Sequence, residues 1–231
     1  MTNFIYTNAY SLLDYTSGAS KSLKIMFEKL VNMGHKVYVI CSTISTSKEA
    51  FDYSIAKWHE SFIASKDNNK LKTIFLHNGV KYYFIKTRNW NRLFLAADEQ
   101  ESIYRQALEI INSCSIDILV GWGNLLLEES IFLMARNRGI KLCFYLVNPT
   151  YKNKEFFLRK YSDLVITDSY STRDLYKDEI DCRFEVLPKF IQKPENGFTR
   201  SEVNTKPYKC LFVNPTIHKG LEAFLMIAHY S

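Results

Sequence analysis

The 231-residue sequence is poor in the residues that usually announce chemistry. It has five histidines and five cysteines, eight glycines and five prolines. Cys41, Cys114, Cys143, Cys182 and Cys210 form no C-x-x-C and accompany no histidine pair at metal-ligand spacing, so neither a zinc site nor a disulfide framework is indicated. Cys41, Cys143 and Cys210 fall within apolar runs, where a thiol packs as a small hydrophobe. No stretch approaches the roughly eighteen apolar residues of a membrane span, and the start, MTNFIYTNAYSLLDYTSG, lacks the basic region and apolar run of a secretion signal. The expected location is the cytoplasm.

Nucleotide motifs are also missing. A phosphate-binding loop ending at Lys21 requires glycine just before it and again five positions earlier, where Ser20 and Tyr15 stand. A G-x-G-x-x-G reading of Gly121 and Gly123 places Leu126 third, and no Asp-x-Asp occurs. No metal and no cofactor are therefore expected.

What is present is a globular composition, 47% hydrophobic and 15% aromatic, with a net charge of +6 that tilts the surface modestly toward anionic partners. Strand-like and helix-like patterns alternate. Asn3 to Tyr10 reads as a strand. Leu23, Met26, Phe27, Leu30 and Val31 form the stripe of an amphipathic helix that Gly34 ends. KVYVICS is the unbroken apolar run of a parallel strand covered on both faces. A weaker helix is expected over Lys48 to Ser65. The Asn-Gly between KTIFL and KYYFI signals a hairpin, placing an antiparallel excursion in the middle of the sheet. The βα rhythm then resumes: a helix over Glu101 to Asn112, strand DILVG, a helix over Glu128 to Asn137, strand KLCFYLV, a helix over Lys154 to Tyr161, strand DLVITD, a short helix from Ser171, and strand RFEVL. This order predicts an α/β, Rossmann-like, doubly wound and mostly parallel sheet over 1–187. Pro188, Pro194, Gly197 and Pro207 mark a connector over 188–207. YKCLFVNP and HKGLEAFLMIAHY then begin a second α/β unit over 208–231. A lone βα unit cannot cover its own apolar face, so this segment is expected to meet another surface.

The pieces TSGASKSL, MGHKVYVI, DILVGWG, KLCFYLVNP, SDLVITDSYSTRDL, VLPKFI and FVNPTIHKG, in that order, resemble the amino-terminal half of a GT-B fold glycosyltransferase of the family-4 type. The resemblance implies an acceptor-side domain followed by the start of a truncated nucleotide-sugar-binding domain. It implies transfer of a sugar from a nucleotide-sugar donor to a glycan or lipid-linked acceptor, with this chain incomplete and inactive alone. Gly18, Ala19 and Ser20, opening a helix, match the family's phosphate- and sugar-facing loop. Trp122 with Gly123, and Asn148 after Val147, stand at positions where the family commonly carries His-Gly and His-Asp or His-Glu. Ser169 and Lys219 match cleft residues, Lys219 facing the donor diphosphate.

A second reading comes from KYYFIKTRNWNRLFLA, which interleaves basic and aromatic residues. Tyr82, Arg88, Trp90 and Arg92 form a candidate acceptor surface that could also grip a glycan or a polyanion, or lie on a membrane. Alternatively the aromatics pack the core and the cations face water. The partners expected are a nucleotide sugar and its acceptor, with a separate carboxy-terminal half or self-association through the tail, peripheral membrane contact, and no nucleic acid. The alternative function is a non-catalytic glycan- or polyanion-binding accessory protein.

Overall fold

A computed structural model describes residues 1–57, 72–123, 125–147, 161–189 and 225–226. The chain divides into two units, Met1–Gln192 and Lys193–Ser231. In the second only Leu225 and Met226, both helical, are described. The expected helix over Lys154–Tyr161 except Tyr161, the connector beyond Lys189, and the expected second βα unit except Leu225 and Met226 lie outside the described residues.

The first unit is built on β1 (Asn3–Thr7), β2 (Lys36–Ser42), β3 (Lys72–His77), β4 (Val80–Ile85), β5 (Ile118–Gly121), β6 (Lys141–Leu146), β7 (Leu164–Thr167) and β8 (Arg183–Val186). They form one sheet in the order β3-β4-β2-β1-β5-β6-β7-β8. Every pairing is parallel except β3 with β4. The described helices are α1 (Gly18–Asn32), α2 (Lys48–Lys57), α3 (Ala97–Ser113), α4 (Leu126–Arg136) and α5 (Tyr170–Tyr176). The sheet is thus doubly wound, as the alternating pattern predicts.

Winding direction decides which face each helix covers, because parallel crossovers are right-handed. The β1-to-β2 step runs one way along the sheet, the β5-to-β8 steps the other. Accordingly Leu23, Met26 and Phe27 of α1 pack with Tyr6, Val39, Cys41, Tyr82 and Phe84 on one face. Ile103, Ala107 and Ile110 of α3 and Ile131, Phe132 and Ala135 of α4 pack with Ile5, Ile40, Leu119, Leu142 and Phe144 on the other.

Two expectations are corrected. The hairpin turn forms as read, with Asn78 and Gly79 both at positive φ, 48° and 77°, but β3 lies at the edge of the sheet, not in its middle. The inner side of β4 is taken by β2, which leaves β3 only one neighbour. Tyr82 does not belong to a surface. It is 0% exposed and stacks on Phe75 with ring centroids 5.2 Å apart, because β4 is buried on both faces and its alternation therefore does not sort inside from outside.

Boundaries shift for local reasons. The first strand ends at Thr7, and Tyr10 makes only an isolated bridge to Ile44. Helix α3 starts at Ala97, four residues before the expected Glu101, because Glu99 reaches back to accept the Ala96 N–H at 2.9 Å. Helix α1 follows its signals. The Ser17 hydroxyl accepts from the Ser20 N–H at 3.2 Å, and left-handed Gly34 ends the helix with the His35 N–H returning to Leu30 O at 3.0 Å.

Candidate functional site at the switch point

In an open α/β sheet the winding reverses at one place, and the loops leaving the two strands there diverge to open a crevice beyond their carboxyl ends. Here that place lies between β1 and β5, paired from Phe4 with Ile118 to Thr7 with Gly121. The crevice is therefore walled by the loop from Asn8 on one side and by Trp122, Gly123 and the first turn of α4 on the other.

The walls are tied together by side chains. The Asn8 amide donates to Trp122 O, while its Oδ1 accepts from the Tyr10 N–H at 2.8 Å. Glu128, in the first turn of α4, accepts from the Ala9 N–H at 3.5 Å and pairs with Arg92. Both charged side chains are buried, Arg92 at 8% and Glu128 at 1% exposure. The Arg92 guanidinium lies over the Tyr10 ring, 5.2 Å from its centroid, and Tyr10 stacks on Trp122 at 5.4 Å and 19°. A charge pair this enclosed fixes geometry more than it adds stability, since desolvation offsets most of its attraction.

The loops are also held from beneath. Asp14 accepts four hydrogen bonds: the Thr16 N–H and hydroxyl on Oδ1 at 2.8 and 2.6 Å, and the Thr46 N–H and hydroxyl on Oδ2, both at 2.8 Å. Burial alone would raise its pKa, but these bonds outweigh burial and hold the carboxyl below its ordinary range. The loop after β1 is thereby clamped to the loop after β2. That second loop in turn meets the one after β4, where the Ser45 N–H donates to Trp90 O at 3.0 Å and the Thr87 N–H to Thr43 Oγ1 at 2.9 Å.

The residues singled out from sequence fall in different settings. Gly18 and Ala19 open α1 at the carboxyl edge, and a Cβ on Gly18 would meet nothing within 4 Å. Ser20 is turned inward, its hydroxyl donating to Ser11 O at 3.0 Å. Trp122 is half-buried, touches both core clusters, and donates its indole N–H to the Tyr6 hydroxyl at 2.6 Å. Gly123 has φ +105°, and a Cβ there would approach the Asn8 amide nitrogen at 3.2 Å and Glu128 Cδ at 3.5 Å, so this corner requires glycine. Ser169 caps α5, accepting from the Thr172 N–H at 3.1 Å. Beside it Asp168 pairs with Lys189 at 3.1 Å. Arg88 is exposed but engaged by Asp98 and Glu99, and Trp90 is half-buried. Asn148 and Lys219 lie outside the described residues. The crevice thus gathers Trp122, Gly123 and Arg92 and leaves out Tyr82.

Sequence reasoning missed Asn8, Tyr10, Asp14 and Glu128. The one local signal is Asn8, a polar residue inside the strand-like run of Asn3 to Tyr10. Glu128 and Glu129 stand in the first turn of α4, where any acid suits the helix dipole, so their type alone singles out neither.

Among the described residues the buried thiols are Cys41 and Cys143, and burial pushes each up to about 12, which keeps them protonated. Among the described residues no helix is long and apolar enough to cross a membrane.

No protein-family profile and no curated protein matches the sequence. Among solved structures, the UDP-GlcNAc 2-epimerase of Methanocaldococcus jannaschii is similar over 82% of this chain and 46% of its own, at 9% identity and a TM-score of 0.49. Acinetobacter baumannii MurG is similar over 83% of this chain and 47% of its own, at 14% identity and a TM-score of 0.45. A glycosyltransferase from Rickettsia africae is similar over 81% of this chain and 42% of its own, at 13% identity and a TM-score of 0.45. The chain spans about half the length of these proteins.

Proposed function

We propose that this chain is the acceptor-side half of a cytoplasmic sugar-transfer enzyme of the GT-B, family-4 type. It would use a nucleotide-sugar donor and a glycan or lipid-linked acceptor, the latter bringing the protein to a membrane surface. The observation that carries this reading is the side-chain cluster at the switch point. Asn8, Arg92, Glu128, Tyr10 and Trp122 converge there from three separate stretches of chain, bringing hydrogen-bonding groups and aromatic rings together beyond the carboxyl ends of the central strands. That mixture suits a hydroxyl-rich ligand: polar groups fix orientation and apolar ring faces cover C–H surfaces. Gly18 and Ala19 offer a helix start on the same edge of the sheet. In the family the donor is held mainly by the carboxy-terminal domain, so catalysis is assigned to this half together with a second one, whether continuous with it or separate.

The polyanion-binding alternative is weaker on charge. Both arginines expected to present a basic surface are engaged by carboxylates, Arg88 by Asp98 and Glu99 and Arg92 by Glu128. The deciding experiment is binding of the purified chain to a panel of immobilised oligosaccharides beside single-stranded DNA and heparin, at low and high salt. Glycan binding that salt barely changes supports the acceptor-side reading. Binding confined to the polyanions, falling steeply with salt, would overturn it.

A further inference from the structure

Strands β1, β5 and β7 are not buried alike on their two sides. Ile5, Leu119 and Val165, on the side of α3 and α4, are 0% exposed. Their neighbours Phe4, Ile118, Leu164 and Ile166, on the α1 side, are only half-buried. Parallel strands are normally covered on both faces, so the α1 side is unfinished here. The winding explains it. Helices α4 and α5, which connect β5 to β6 and β7 to β8, pack on the α3 side through Ile131 and Tyr176, while α1 belongs to the other half of the sheet and lies over β2 and β4. Between the flank of α1 and strands β5 to β7 an open groove of about 320 Å³ remains. Met26, Leu30 and Met33 of α1 line one side of it, the half-buried strand residues line the other, and Leu187 joins them after β8.

The lining says what fits. Apart from Lys29 every side chain in it is apolar. A sugar or an extended peptide would bring hydroxyls, or backbone N–H and C=O groups, to a surface that offers them no partner. A hydrocarbon chain brings none. At about 30 Å³ for a water-sized group the groove takes roughly ten methylenes, whereas a single side chain from a second copy, such as Met33 at 71% exposure, would leave most of it empty. Lys29 stands in the last turn of α1 and is exposed, and no carboxylate among the described residues shares the lining. A lysine stem covers apolar surface while its ammonium stays in water. A cation at the rim favours an anionic head over a cationic one.

We propose that this groove binds the alkyl chain of an anionic amphiphile of the fatty-acid type, with the chain along Leu30, Ile118, Leu164 and Ile166 and the head beside Lys29. The site lies on a face of the sheet, apart from the switch-point cluster, and stands whether or not the protein transfers sugar.

The test titrates the 231-residue protein calorimetrically with dodecanoate, hexanoate and dodecyltrimethylammonium, each below the concentration at which it forms micelles. Dodecanoate is expected to bind one to one, and each methylene removed should weaken it by about two- to fourfold. Ile118→Phe, which puts a larger side chain into the groove, should weaken dodecanoate by about tenfold, the equivalent of roughly two buried methylenes. Lys29→Glu should reverse the preference for dodecanoate over dodecyltrimethylammonium. A wild-type protein that binds no dodecanoate, or binds it no better than hexanoate, overturns the proposal. So does equal dodecanoate binding by Ile118→Phe at an unchanged melting temperature, or a wild type that takes the cationic amphiphile as tightly as the anionic one. A wild-type dimer in sedimentation that Ile118→Phe dissociates would give the groove to a second copy instead. Should Ile118→Phe fold poorly, hydrogen exchange on the wild type decides: slowed exchange at 30–36 on adding dodecanoate supports the site, and unchanged exchange there refutes it.

Discussion

Trp122 and Tyr6 are joined by a hydrogen bond of 2.6 Å from the indole N–H to the phenol oxygen, across 116 residues of sequence. The bond ties the loop after β5 to the middle of β1. It also explains why an aromatic residue at the crevice points its polar edge into the protein and leaves a ring face for Tyr10.

Replacing Trp122 by Phe keeps a ring but leaves the buried Tyr6 hydroxyl without its donor. A loss of about 1–3 kcal/mol is expected from the unmatched group together with the smaller ring. Tyr6→Phe in the same background should recover part of that loss. Urea unfolding of the two single variants and the double variant measures the coupling; strictly additive losses would show that the bond contributes nothing.

Gly123→Ala and Gly18→Ala should differ sharply. At Gly123 the left-handed φ and the nearby Asn8 amide oppose a side chain, so a cost of about 1–3 kcal/mol is expected. At Gly18, with open space and a helical position, alanine should be neutral or stabilise by up to about 1 kcal/mol. Thermal melts of both variants check the contrast.

Asp14 predicts acid sensitivity of a definite sign. Its folded pKa lies below the ordinary 3.8, so its contribution is fully present above that value and is lost as pH falls through the lower folded pKa. Asp14→Asn should reduce stability at pH 7 and flatten the pH dependence below about pH 4. Equal slopes for the wild type and the variant in that range would contradict the clamp.

The sugar-transfer reading proposed above assigns turnover to two halves acting together. The 231-residue chain incubated alone with a radiolabelled nucleotide sugar and acceptor should therefore release no nucleotide above background. Measurable transfer by this chain would overturn that division of labour.

The sheet was legible because strands covered on both faces must be apolar throughout, as Lys36–Ser42 and Lys141–Leu146 are. The same property hid the direction of side chains. In Val80–Ile85 nothing in the sequence separates Tyr82, packed under α1, from Tyr83, packed under α3. Strand order was illegible where neighbours are not consecutive: the Asn-Gly turn announces a hairpin, but the pairing of β2 with β4 that sends β3 to the edge leaves no local trace. The site was half legible. Trp122 and Gly123 follow a strand directly. Asn8 reaches Trp122, 114 residues away, and Glu128 reaches Ala9 and Arg92, 119 and 36 residues away, contacts that no short pattern encodes.

The β1–β5 ladder is only four residue pairs long, yet it is the seam at which the oppositely wound halves of the sheet are sewn together. The contacts of Asn8 with Trp122 and of Ala9 with Glu128 extend that seam past the last strand residue with side chains in place of backbone rungs. A ligand that pries the two loops apart must undo these stitches before any rung of the ladder is strained. Load on the loops thus falls first on side-chain contacts, and the backbone rungs of the ladder come after them.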